Sequence, residues 1–161
     1  MSSVKPVKRS EALLPLSREH HIDLLLAWKI RKGLKNQVDA HRMAAYIRYL
    51  DENLVAAHFH DEETLLFDQL PDEDPLCGRA RQEHGQIRGM IAEIGEGLAV
   101  DPALFNRFAD AVEAHVRYEE RELFPYLEEK LSAEKLEKIE TEISRSHDLF
   151  TDRWEDAFWI K

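Results

Sequence analysis

His58 and Glu62 stand four residues apart, and so do His115 and Glu119. On a helix this spacing stacks an imidazole and a carboxylate on one face, where both can aim at a single point. Both pairs sit in a phrase that the chain writes twice. Residues 57–70 read AHFHDEETLLFDQL and residues 114–127 read AHVRYEERELFPYL, seven identities in fourteen positions. With twenty glutamates among 161 residues, eight histidines give about one such pair by chance, and a lone pair is usually a surface contact. What sets these two apart is the repeated Glu-x-x-Leu-Phe-x-x-Leu that follows each pair and the alanine that precedes it.

A second repeat points to the same place. Glu19-His20 opens the first helical segment and Glu83-His84 lies early in the third. Each half of the chain therefore reads as a helix with Glu-His followed by a helix with His-x-x-x-Glu, two αα-hairpins. Folded face to face, they bring one His from each of two helices, and a His plus a Glu from each of the others, around a common centre. Four imidazoles and two carboxylates inside a bundle are costly unless a cation compensates them. Mixed nitrogen and oxygen donors suit iron, with manganese and zinc as alternatives, and the lack of thiolates disfavours copper(I) and iron–sulfur clusters. Six ligands are generous for one ion and fit two ions bridged by both carboxylates. The donor on the first helix stays open between adjacent histidines. Register with Glu83-His84 selects His20, whereas a face shared with Leu24, Leu25 and Trp28 selects His21, which is favoured.

The elements that must position these groups are helices. Gly, Pro, Asp and Asn cluster at residues 33–36 and 71–75, and further breaks fall at 100–102 and 131–132. Between them lie segments at about 16–34 and 38–70, two more opened by Asp74-Pro75 and Asp101-Pro102, and a fifth at 133–158. Met43, Ile47, Leu50, Leu54, Ala57 and Leu65 form an apolar stripe on the second, and Leu104, Phe108, Ala111, Val112, His115, Leu123 and Leu127 on the fourth. Pro125 should kink or loosen the last turns there. The expected architecture is all-α: an up-down-up-down four-helix bundle over residues 13–131, with a flexible arm at 1–12 and an additional C-terminal helix within 132–161. That helix, carrying Trp154, Phe158 and Trp159, is expected to pack on the bundle or to form a homodimer surface.

Composition narrows the function classes. A net charge of −10 argues against nucleic acid as a partner. No apolar run is long enough to cross a bilayer. The single cysteine, Cys77, excludes an internal disulfide and a Cys-rich zinc site, and a cytoplasmic setting is the expectation. The chain lacks Glu-x-x-His, the ligand motif of ferritin-like di-iron bundles. It also lacks His-Glu-x-x-His, a Gly-rich phosphate loop and Gly-x-Ser-x-Gly.

From Leu16-Ser-Arg-Glu-His-His21 through Glu83-His84-Gly-Gln-Ile87 to His115-x-x-x-Glu-Glu-x-x-Leu-Phe-Pro125, the chain resembles the hemerythrin-like, or HHE cation-binding, family. The resemblance implies a four-helix bundle around a non-haem di-iron site of ferrous or ferric ions with carboxylate and oxo bridges. It implies bridging roles for Glu62 and Glu119, and terminal ligation by His58, His84, His115 and one of His20 and His21. The chain departs from the oxygen-carrying members, which use five histidines and an Asp five residues after its His. Glu119 lies only four after His115, and Arg88 stands where a carrier has a further His. The pattern is closer to members implied in iron or oxygen sensing, nitric-oxide response and iron–sulfur cluster repair.

The expected function is thus binding of oxygen, nitric oxide or peroxide at an open iron position, more a binding role than turnover. A di-iron redox enzyme or cluster-repair factor is the alternative, and a metal-free structural bundle the second. His41 and His60 read as surface residues, the latter placed with Glu63 to support the site from outside. His147 lies outside the repeat, Tyr118 reads as half-buried core, and Cys77 as a loop residue.

Overall fold

The computed structural model describes residues 9–96, 101–146 and 150–160. Among these, five helical rods account for the regular structure. Helix α1 is Leu14–Lys35. Helix α2 covers residues 40–69 as α-helix Ala40–Leu50, a π-turn Asp51–Val55, α-helix Ala56–Asp61, a second π-turn Glu62–Leu66 and a closing 3₁₀ turn Phe67–Gln69. Helix α3 is Pro75–Glu96. Helix α4 covers residues 102–130 as Pro102–Tyr118, a π-turn Glu119–Leu123 and Phe124–Lys130. Helix α5 is Ala133–Ser146.

The helix starts follow from local chemistry. Asp39, Asp74 and Asp101 accept hydrogen bonds from backbone amides two or three residues on, at 2.8–3.1 Å, and so cap α2, α3 and α4. Pro75 and Pro102 occupy first helical positions, where a missing N–H costs nothing. The end of α1 is turned by Gln37 at φ 55.

Helices α1 and α4 run antiparallel: Ser17 bonds Glu120 at one end and Arg31 bonds Asp110 at the other. Helix α3 packs on α4 and on α2, and α2 packs on α1, which closes the four-helix bundle. Two apolar plugs fill it. One contains Leu26, Ile30, Met43, Ile47, Ile87 and Phe108, the other Leu16, Leu66, Phe67, Ala80, Leu123 and Leu127. Each long helix crosses from one plug to the other, and at the crossing it carries His20, His58 with Glu62, His84, or His115 with Glu119.

The predicted stripe of α4 is buried apart from half-buried Ala111, and the π-turns of α2 explain where its own stripe slips. Each inserts an extra residue into its turn, so beyond Leu54 the buried positions of α2 become Val55, His58, Phe59, Glu62 and Leu66. Ala57 is exposed and Leu65 only half-buried. In α4 the wide turn also absorbs Pro125. The Phe124 amide donates to Glu119 O and Pro125 has no N–H, which leaves Glu120 O for the Arg9 guanidinium at 2.8 Å.

That contact corrects the expected arm. Residues 1–8 lie outside the described residues, but 9–12 are docked. Arg9 also binds the Glu128 carboxylate, the Ser10 amide donates to it at 2.6 Å, and Ala12 and Leu13 are buried. The C-terminal helix is also shorter than expected. Among the described residues it runs to Ser146, His147 falls outside them, and 150–160 form an irregular strap. Asp152 turns the chain there by accepting from the Trp154 amide at 3.0 Å, a local bond that competes with a helix, and it also binds Lys29 of α1 and Tyr46 of α2. Phe158 is buried against Gly33 and Met43, with Trp154 and Trp159 packed around Tyr46. The strap therefore spends these aromatics on its own bundle.

Candidate metal centre

Six side chains meet between the two plugs: His20 on α1, His58 and Glu62 on α2, His84 on α3, and His115 and Glu119 on α4. All are at most 3 % exposed. Their Nε2 atoms converge on the two carboxylates in pairs. His58 and His84 Nε2 each lie 3.2 Å from Glu62 Oε1. His20 and His115 Nε2 lie 3.1 and 2.9 Å from Glu119 Oε1. Donor atoms from His20, His58, Glu62 and Glu119 fall within 4.8 Å of one another, and so do those from Glu62, His84, His115 and Glu119. The two sets share both carboxylates.

The adjacent histidines of α1 part company. His20 lies on the stripe of Leu16, Asp23, Ala27 and Ile30 that faces inward, whereas His21 is exposed. The apolar face that favoured His21 points outward, since Leu25 and Trp28 are 39 % and 48 % exposed. The corrected position is therefore His20 in the cluster and His21 on the surface.

Outward from the centre, three of the four imidazoles bond a carboxylate through Nδ1. His58 donates to Glu19 at 2.9 Å, His84 to Glu63 at 2.9 Å and His115 to Glu83 at 2.8 Å. His20 Nδ1 lies 3.5 Å from Glu120 without a hydrogen bond, and its bond is from Nε2 to Glu119 at 3.1 Å. In His58, His84 and His115 the acceptor at Nδ1 favours the proton there and leaves Nε2 to serve a metal as a lone-pair donor. Sequence reasoning passed over Glu19 and Glu83, although the repeated Glu-His dipeptide was the signal. Each Glu serves not its neighbouring His but the His on the next helix. Glu63 and Glu120, repeated after Glu62 and Glu119, take the same supporting role.

Charge balance separates the inner carboxylates from the outer ones. Glu63 has Arg88 at 2.8 Å, Glu83 has Arg79 at 3.0 Å and Glu120 has Arg9 at 3.2 Å. Glu62 and Glu119 are fully buried close to each other, and the ion-pair partners shown for them are imidazoles. Burial would raise the Glu119 carboxyl, but His115 and His20 hold it well below the usual range. In return, the His20 and His115 imidazoles, which burial would push down, are pushed up to about 9 and about 10 by their glutamates. Protons thus act as counter-ions here, a task a metal cation can take over. The donors fit such an ion: Nε2 of His58, His84 and His115, both oxygens of Glu62 and Oε2 of Glu119 are buried without a hydrogen-bond partner.

The remaining candidates lie elsewhere. His41 and His60 are exposed. Arg88 is committed to Glu63 and lies over the Phe59 ring. Tyr118 is a core residue whose hydroxyl donates to Leu76 O at 2.6 Å. Cys77 is not in a loop but inside α3, buried, and burial pushes its thiol up to about 12, which keeps it protonated. Among the described residues no helix is long and apolar enough to cross a membrane.

With this geometry in hand, the sequence profile of the hemerythrin HHE cation binding domain matches residues 15–127, a span that holds all six clustered side chains. No curated protein and no solved structure is significantly similar to the chain.

Proposed function

The chain belongs to the hemerythrin HHE cation-binding family, and from that premise we propose that it holds two iron ions and binds a small molecule at an iron position its own residues leave open. His20 and His58 would hold one ion and His84 and His115 the other, with Glu62 and Glu119 bridging both. The observation that carries this reading is the pair of interlocking donor sets that share their two carboxylates. Nitrogen and carboxylate donors without thiolate suit iron, while manganese and zinc accept the same set.

When bound, iron supplies a Lewis-acidic, redox-active position for oxygen, nitric oxide or peroxide. The chain's own residues do the rest. The outer glutamates fix the imidazole tautomers and orientation, and the apolar plugs with Phe59 and Phe124 stacked on His84 and His20 keep water away. Sensing or handling of oxygen, nitric oxide or iron in the cytoplasm fits such a centre. A metal-free structural bundle would instead bury these unpaired donors at a cost.

Metal analysis of anaerobically purified protein, with a visible spectrum before and after oxygen exposure, tests the reading. The expected outcome is two irons per chain and a new visible band. Protein that takes up no stoichiometric metal would sink the proposal, and two equivalents of zinc without iron would remove its redox part.

A further inference from the structure

Among the arginines paired with Glu63, Glu83 and Glu120, only Arg9 lies outside the four bundle helices. Glu63 and Glu83 take theirs, Arg88 and Arg79, from α3. In the register that aligns Glu19-His20 with Glu83-His84, Arg88 corresponds to Leu24 and Arg79 to Pro15, so α1 has no arginine at either place. Arg9 of the arm stands in for them at Glu120, and it precedes the family match at 15–127.

The contacts of Arg9 converge on His20. Its guanidinium bonds the Glu128 carboxylate, Glu120 O at 2.8 Å and Glu120 Oε2 at 3.2 Å, three acceptors that suit a planar fork of donors. Ser17 donates to the same Oε2 at 3.0 Å. With Oε2 held from two sides, Oε1 of Glu120 is turned toward His20 Nδ1 at 3.5 Å. Arg9 also lies over the Phe124 ring, 5.4 Å from its centroid, and that ring stacks on His20 at 5.3 Å. Arg9 therefore reaches His20 by two routes, one through a carboxylate and one through an aromatic ring. Its side chain is only 12 % exposed, so water and salt screen these bonds less than they would a surface pair.

Resting on the metal reading above, we propose that Arg9 is a positioning residue for the centre: it fixes Glu120 and Phe124 against His20, and so sets how firmly the side of His20 and His58 holds its ion. A ring that gives Nε2 to a metal keeps its proton on Nδ1, and Glu120 is the carboxylate beside that atom. Without Arg9, Glu120 keeps only Ser17 to aim it, and the ring is held less firmly. The arm thus contributes to the metal centre although it precedes the matched domain.

The experiment compares Arg9→Ala, Arg9→Lys and Arg31→Ala with the parent chain in three measurements. These are metal content, the rate at which bound metal is released to an excess of chelator, and melting of the metal-free protein. Arg31 is the control, because it also ties α1 to α4, through Asp110 and Glu113, but about three turns along α1 from His20. Arg9→Ala is expected to fold, to bind metal, and to release the more labile ion roughly tenfold faster than the parent. Arg9→Lys keeps the charge without the fork and should fall between. Arg31→Ala should release metal at the parent's rate, whatever its effect on melting. Parent-rate release from Arg9→Ala overturns the proposal, and so does an equal acceleration in Arg31→Ala, which would make both arginines mere ties between helices. Where Arg9→Ala does not fold, Arg9→Lys carries the comparison, and parent-rate release from it overturns the proposal. A parent chain that binds no metal overturns the proposed function first, and this inference with it.

Discussion

Glu83 on α3 accepts a hydrogen bond from His115 Nδ1 on α4 at 2.8 Å, and its pseudo-symmetric counterpart is Glu19 on α1 with His58 on α2 at 2.9 Å. The carboxylate that orients each of these imidazoles thus comes from the preceding helix. Glu83→Gln keeps the shape and removes the charge, so metal affinity should fall roughly tenfold to a hundredfold while the helical content is unchanged. Competition against a chelator of known affinity measures it. Equal affinity in the variant would show that the outer carboxylates only fill space.

His20 and His21 make a paired test of register. Loss of His20 removes a buried donor from the cluster, so His20→Ala should lose metal. His21→Ala alters an exposed side chain and should leave metal content and melting within error of the parent. The reverse pattern would place the outward face of α1 at the centre and discard the geometry.

The shared carboxylates predict loss of both ions from one substitution. Because Glu62 belongs to both donor sets, Glu62→Ala should reduce metal from two equivalents toward none. Elemental analysis after desalting decides it, and one ion retained at full occupancy would refute a bridging role.

In the metal-free protein His20 titrates at about 9 and His115 at about 10, so both are protonated at neutral pH. A metal must displace those protons before Nε2 can bind it. Affinity should therefore climb as pH rises from 6 and level off above about 10. Calorimetry in buffers of different ionisation enthalpy should find protons released on metal binding at pH 7, and no release would mean that these imidazoles are already neutral.

Gly33 of α1 packs directly under Phe158 of the C-terminal strap. A Cβ there would meet Met43 Sδ at 2.7 Å and the Phe158 ring at 3.0 Å. Gly33→Ala should cost about 1–3 kcal/mol, with a shift in tryptophan fluorescence as Trp154 and Trp159 move. Metal content should not change, since the strap lies in contact with the plug away from α5.

The histidine–glutamate repeat was legible in the sequence because two side chains four apart on a helix need no long-range information to share a face. For the same reason the capped starts at Asp74-Pro75 and Asp101-Pro102 could be read directly. His21 misled because an apolar run, Leu24, Leu25 and Trp28, was taken to mark the buried side, and only packing against α2 and α4 shows that part of it faces solvent. The π-turns at Asp51 and Glu62 leave no compositional mark, so the slipped stripe of α2 was invisible. The strap failed differently: the spacing of Trp154 and Phe158 imitates a helical turn, while the bond from the Trp154 amide to Asp152 breaks it.

Each donor set draws on both hairpins: one combines His20, His58 and Glu62 with Glu119, the other combines Glu62 with His84, His115 and Glu119. A chain still emerging from the ribosome exposes its first hairpin without the residue that completes either set. Loading must wait until α4 has been made and has docked. The centre would then report that all four bundle helices are in place, and a product truncated before α4 would be left without its cargo.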